Sequence, residues 1–327
     1  MHTSTMKSSL FLLAASALCG SYTTTIVVSS FSTNGATFPS KKDMKLNMFF
    51  ASEAATDAAD DTAAAAAAST TNESMMDVKL TPLDGSETSV INAAKFMVDA
   101  FWLQSPQQLV TSGGGRDPST ISDATKSSLT NIQADDLLSK YGERMGKRKL
   151  DALIVVASDG SSDSKLLSAD DILGLVTIEV RLLNSNDLLS ADESEFRLTQ
   201  AVASLGPKQR REYKDASVLD IARELLPPEI TAVCSLSNLC TSPKARRRGI
   251  AAKLCSEAER LAKEELCFDE IFLRVELENE AARKLYEDKL GYQRKFEAGK
   301  AVALRVDAER GGFVEIESDI VVMSKKL

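Results

Sequence analysis

Between residues 230 and 254 the hydrophobic pattern changes from strand-like to helix-like. A run rich in Val, Leu and Cys ends on Thr241-Ser242-Pro243. After Arg246-Arg247-Arg248-Gly249, apolar residues recur at helical spacing from Ile250 onward. The pattern predicts a strand over 230–241, a loop, and a helix over about 248–265. Upstream, 77–83 alternates as a first strand, and 87–102 places Val90, Ile91, Ala94, Phe96, Met97, Ala100 and Phe101 on a helix. Residues 105–119 read as a loop and 125–148 as a second helix. Strands over 153–157 and 172–182 read as antiparallel neighbours. Segment 183–228 is an insertion with short helices over 196–205 and 216–226, closing on Pro227-Pro228. Downstream come a strand over 269–277, a helix over 279–289 with Asn279 as its N-cap, and strands over 292–296 and 319–324. The order β-α-α-β-β-β-α-β-α-β-β predicts an α/β (α+β) fold: a mixed sheet with helices on both faces.

The N-terminal stretch does not belong to that pattern. Residues 1–20 read as a signal segment, with Lys7 before an apolar run over 10–19 that is too short to span a bilayer. Residues 21–50 are rich in Ser and Thr and carry Lys41, Lys42 and Lys45 against one acid, Asp43, which is transit-peptide composition. A signal followed by a transit peptide resembles the bipartite presequences of plastid proteins. Secretion is the alternative, against which the unpaired cysteines weigh. Residues 51–75 read as an Ala-rich linker, and the folded domain is expected over 76–327.

Charge and composition narrow the chemistry. The net charge of −8 argues against general nucleic-acid binding, so Arg246, Arg247 and Arg248 form a local positive spot suited to a small polyanion. The predicted helix start adds unpaired N–H groups and a partial positive charge, and Gly249 lets a backbone approach an anion closely. Together these features predict a pyrophosphate seat. Gly113-Gly114-Gly115 lacks the strand and the Lys-Ser/Thr of a phosphate loop. The one histidine is His2, and the five cysteines show no C-x-x-C spacing, which argues against zinc sites and His-dependent nucleophilic catalysis. No metal is expected. Cys234, Cys240, Cys255 and Cys267 are expected as buried thiols.

The turn has a relative. Arg246, Gly249 and Ala251, directly after a strand, resemble the (Gln/Arg)-x-x-Gly-x-(Gly/Ala) motif of the GNAT superfamily of N-acetyltransferases. Asn279-Glu280-Ala281-Ala282-Arg283-Lys284-Leu285-Tyr286, with Leu290-Gly291-Tyr292 after it, resembles that superfamily's Asn-x-x-Ala-x-x-Leu-Tyr motif. Presequence and C-terminus look most like the plastid-type protein acetyltransferases. The resemblance implies a mostly antiparallel sheet, splayed where the cofactor lies. It implies acetyl-CoA as cosubstrate, its pyrophosphate on the N–H groups of Arg247, Arg248, Gly249, Ile250, Ala251 and Ala252, beside Arg246. It implies that the edge of Leu239, Cys240 and Thr241 pairs with the pantetheine arm. Asn279 would contact the cofactor, cap its helix, or both. Tyr286 would protonate the leaving thiolate or serve as a core aromatic.

The general base is open. Where relatives carry a Glu, this chain has Arg274, and strand alternation makes Glu276 the nearest carboxylate on that face. Either Glu276 or a water relay takes the proton. An α-amine titrates near ~7.7–8.0 and a lysine near ~10.4, so at pH 8 deprotonating lysine costs roughly 3 kcal/mol more. A site without a strong base is therefore expected to favour protein N-terminal α-amines over lysine ε-amines. The acids Asp187, Asp192, Glu193 and Glu195 of the insertion suit a protein amine or a small amine alike. A catalytically silent acetyl-CoA-binding module is the remaining alternative. The insertion itself is either a lid or acceptor clamp, or a peripheral decoration.

Overall fold

The computed structural model describes residues 78–103, 109–110, 121–142, 151–160, 167–307 and 312–327. In chain order they form β1 (Val78–Pro82), α1 (Glu87–Met97) running into a π-helical turn (Val98–Leu103), β2 (Leu109–Val110), α2 (Asp123–Tyr141), β3 (Ala152–Asp159), β4 (Ile172–Asn184) and β5 (Asp187–Leu188). There follow α3 (Ala191–Ala203), α4 (Pro207–Glu212), α5 (Val218–Leu225), β6 (Ile230–Thr241), α6 (Ile250–Glu264), β7 (Glu270–Glu276), α7 (Glu280–Lys284) with a π-helical turn (Leu285–Lys289), β8 (Gln293–Asp307) and β9 (Gly312–Lys326). The presequence, linker and Gly113–Gly115 readings lie outside the described residues.

The strands make one sheet in the order β1-β3-β4-β6-β7-β9-β8-β2, with β5 paired to β4. Most neighbours are antiparallel; β6–β7 and β2–β8 are parallel. Alternation assigns the faces. On β4, Val176, Ile178, Val180 and Leu182 enter a core shared with Leu198 of α3, Ile221 of α5, Leu254 of α6 and Ala282 of α7. On β3, Ile154 and Val156 face the other way, into a core with Val90 of α1 and Leu137 of α2. Helices thus cover both faces, as the pattern predicts.

Helix α6 forms because Ile250, Leu254, Cys255, Ala258, Leu261 and Ala262 fall on one buried stripe. Its outer face carries Arg260 paired with Glu257 and Glu264. Gly174 of β4 brings the start of α6 down onto the sheet. A Cβ there would lie 2.8 Å from Leu254 Cδ1, 3.0 Å from Ile250 Cγ2 and 3.2 Å from the Cys240 carbonyl.

Four expectations change. The insertion carries β5 and three helices rather than two, and it is not peripheral: Leu198, Val218 and Ile221 are fully or almost fully buried in the main core. The buried Ser194 Oγ accepts the Leu182 N–H at 3.1 Å, tying α3 to β4. The short strands expected at 292–296 and 319–324 are instead a hairpin of 15-residue strands. Its outer half mixes charged and apolar residues, which hides the period. Leu109–Val110, expected as loop, pairs with the end of β8; two residues carry no readable alternation. Finally, Cys267 is exposed, because it sits in a left-handed turn (φ 59°) after α6, whereas Cys234, Cys240 and Cys255 are buried.

Gly174→Val should lower stability by about 1–3 kcal/mol through overpacking under α6. Denaturant midpoints would measure this, and a wild-type midpoint would remove Gly174 as the seat of that helix.

Candidate active site

The turn between β6 and α6 is built to present backbone N–H groups outward. Pro243–Ala245 makes a single helical turn, Arg247 is left-handed (φ 65°), and Gly249 is left-handed (φ 75°) directly before Ile250. Left-handed backbone is costly for most residues and free for glycine. A Cβ built on Gly249 meets nothing within 4 Å, so the space beside it is open. Arg247, Arg248 and Gly249 are exposed, while Ile250 is buried and roots the helix. The first-turn N–H groups of a helix have no intrahelical acceptor, so Ile250, Ala251 and Ala252 add to this cradle. The Arg246 side chain turns inward: its Nη2 donates to the Ala100 carbonyl at 3.5 Å, securing the turn against the π-helical end of α1.

The turn opens onto a fork in the sheet. Strands β6 and β7 pair only through Cys234–Ile271, Ser235–Phe272 and Leu236–Leu273. Beyond them, β6 runs on through Ser237, Asn238, Leu239, Cys240 and Thr241 with no strand on its β7 side among the described residues. A bulge causes the bend. Pairing with β4 slips between Leu175–Cys240 and Thr177–Ser237, and Asn238 sits left-handed (φ 53°) at the slip. Its Nδ2 donates to Thr177 Oγ1 at 3.1 Å, which holds that conformation. Asparagine is among the few residues that tolerate it.

On the face away from α6, a polar band crosses the sheet at the fork. Arg181 donates through both Nε (2.7 Å) and Nη2 to Glu179 Oε1, and Ser237 Oγ lies 3.4 Å from the same oxygen. Both charged residues are completely or almost completely buried. Tyr141 of α2 closes the band; burial first, then the Glu179 charge, pushes its phenol well above the ordinary value. Arg274 donates through Nη2 to the Leu188 carbonyl and lies 3.6 Å from Asp187. Burial, then repulsion from Arg181, lowers it to about 10 against the pull of Asp187, so it stays cationic at neutral pH.

Glu276 does share the face of Phe272 and Arg274, but its carboxylate is engaged. Arg305 Nη2 sits 2.6 Å from Oε1 and 2.5 Å from Oε2, both residues being almost fully buried. Both carboxylate oxygens are therefore taken by Arg305, which corrects the expected role of Glu276 as an available base. Glu179, beside the fork, escaped the sequence reading; its signal was two charges two residues apart inside an apolar strand. Asn238 and Gly174 escaped it too.

Tyr286 is fully buried, edge-on to Tyr292 with centroids 5.5 Å apart, and α7 orients it. Asn279 caps α7: its Oδ1 accepts the Ala282 N–H at 3.0 Å. Leu239 and Cys240 have buried side chains, so only their backbone edge serves the fork. Burial pushes the Cys240 thiol up to about 12, Arg246 opposing, which leaves it inert near neutral pH. Among the described residues no cluster of His, Cys, Asp and Glu could hold a metal ion, and no helix is long and apolar enough to cross a membrane.

Residues 224–292 match the acetyltransferase (GNAT) family, a span that contains the turn, the fork and Tyr286. No curated protein matches the chain. Among solved structures it is similar to NAA60 of Arabidopsis thaliana in complex with acetyl-CoA (13% identity, 77% of this chain and 99% of that one, TM-score 0.40). It is also similar to the ribosomal-protein-S18-alanine N-acetyltransferase of Escherichia coli (13% identity, 76% and 93%, TM-score 0.37). A third is a mutant of the SpeG spermidine N-acetyltransferase from Vibrio cholerae (14% identity, 76% and 93%, TM-score 0.36).

Glu276→Gln should cost about 3–5 kcal/mol of stability, because it removes the carboxylate from a buried pair. Turnover per folded molecule should hold at every pH. Loss of an acidic limb from the pH–rate profile would restore Glu276 as the base.

Proposed function

We propose, from the match of residues 224–292 to the acetyltransferase (GNAT) family, that this protein transfers the acetyl group of acetyl-CoA to protein amines, N-terminal α-amines before lysine ε-amines. The observation that carries the reading is the continuity of the fork with the turn: an unpaired β6 edge leads straight into the left-handed Gly249 and the start of α6. The N–H groups from Arg247 to Ala252 suit a pyrophosphate, with Arg247 and Arg248 adding charge. The free edge of Leu239, Cys240 and Thr241 suits the amide-bearing pantetheine arm. Asn279 fixes the start of α7, which runs into the π-helical turn that carries Tyr286.

Acetyl transfer then needs little from side chains. A neutral amine attacks the thioester carbonyl, whose developing oxyanion lies against a backbone N–H near Cys240. The C–S bond breaks and the thiolate takes a proton, for which Tyr286 is the candidate donor. The amine loses its proton to water, since Glu276 is engaged by Arg305. Without a strong base, the amine must arrive largely neutral, which favours the α-amine near pH 8.

Labelled acetyl-CoA with the full chain and a panel of free-N-terminus peptides, N-blocked lysine peptides and polyamines tests the reading. We expect the α-amines to be modified fastest at pH 8; faster lysine or polyamine modification would overturn the α-amine preference. Tyr286→Phe should lower kcat on the order of 100-fold with acetyl-CoA binding nearly unchanged. Wild-type kcat would remove Tyr286 from the mechanism.

A further inference from the structure

Resting on the acetyl-transfer reading, we propose that Arg274 selects the acceptor, and that it selects for an amine with a carboxylate close by. Arg274 is the first residue of β7 past its last pair with β6, so it stands on the lip of the fork. Its neighbours Leu273 and Val275 face the α6 core, so its side chain stands on the opposite, polar face. That is the side from which an acceptor can meet the fork without crossing α6.

The other charges of the band are already matched. Arg181 is held by Glu179, and Glu276 by Arg305. Arg274 is not matched in this way. Its Nη2 is spent on the neutral Leu188 carbonyl, and Asp187, 3.6 Å away, is 65% exposed while the Arg274 side chain is 16% exposed. A solvated carboxylate at that distance offsets a half-buried cation weakly. Its Nε is buried and meets no hydrogen-bond acceptor. A buried guanidinium N–H without an acceptor is costly, and a carboxylate would both bond to it and relieve the repulsion from Arg181. The same charge repels a cationic acceptor such as a polyamine or a lysine-rich peptide. Two sources supply the chemistry: a peptide whose N-terminal residue is followed by Asp or Glu, and a free acidic amino acid.

The test compares kcat/KM for free-N-terminus peptides carrying Glu, Gln or Lys at the second position, with free glutamate, free glutamine and spermidine alongside. We expect Glu over Gln by about tenfold, about 1.4 kcal/mol of discrimination, and Lys below both. The peptide and amino-acid arms tell the two sources apart. Arg274→Gln should bring the Glu/Gln ratio to about one with the KM for acetyl-CoA unchanged. Asp187→Asn, at an exposed position, should raise the ratio, because it removes the competing carboxylate; it keeps the idea testable should Arg274→Gln fail to fold. Equal rates for Glu and Gln, a preference for Lys, or a ratio that ignores both substitutions would overturn the role of Arg274 while acetyl transfer stands. If no amine in the panel is acetylated, the acetyl-transfer reading falls and Arg274 falls with it.

Discussion

Three residue pairs are all that join β6 to β7, and the rest of the site follows from where they stop. Sheets are held together by matched backbone donors and acceptors, so an abandoned strand edge inside a domain needs a reason. Here the local reason is the slip at Asn238, whose left-handed backbone and bond to Thr177 bend β6 away from its parallel neighbour. The consequence is a wedge of unpaired backbone at the middle of an otherwise continuous sheet. Gly174 then seats α6 at the end of that wedge, so its N-terminal amides and the free edge form one surface.

The two faces of the fork have different chemistry. Toward α6 the side chains are apolar: Ile271, Leu273 and Val275 pack with Leu254, Tyr286 and Tyr292. Away from α6 they are polar and charged, in a band from Tyr141 through Glu179 and Arg181 to Arg274 and Glu276. Buried ion pairs contribute little net stability, since desolvation offsets their attraction. Their presence in so apolar a sheet is therefore better explained by what passes through the fork than by folding. The insertion belongs to the same design. It buries Leu198 and Ile221 on the α6 side, and its β5 turn places Asp187 and the Leu188 carbonyl beside Arg274 on the other.

Much of this was legible in the sequence, for identifiable reasons. Long periodic segments such as β4, β6 and α6 declare themselves because one face of each is buried along its whole length. The turn declares itself because Gly249 and three arginines follow a strand. Asn279 was legible as a helix cap from the local pattern, whereas Tyr286 was singled out by the family resemblance alone. The β8–β9 ribbon was not, since its outer half mixes charged and apolar residues with no clean alternation. Asn238 and Gly174 were invisible because their roles depend on partners across the sheet, Thr177 and Leu254, that no local pattern connects. The partner of Glu276 was invisible for the same reason: Arg305, which engages its carboxylate, lies 29 residues away.

If the wedge and the turn are one cofactor site, acetyl-CoA must protect both at once. Amide hydrogen exchange of the full chain with and without acetyl-CoA tests it most directly. Slowed exchange is expected at both Leu239–Thr241 and Arg247–Ala252, together and at the same cofactor concentration. Protection of the turn alone, or exchange unchanged in both stretches under conditions where acetyl transfer proceeds, would contradict it.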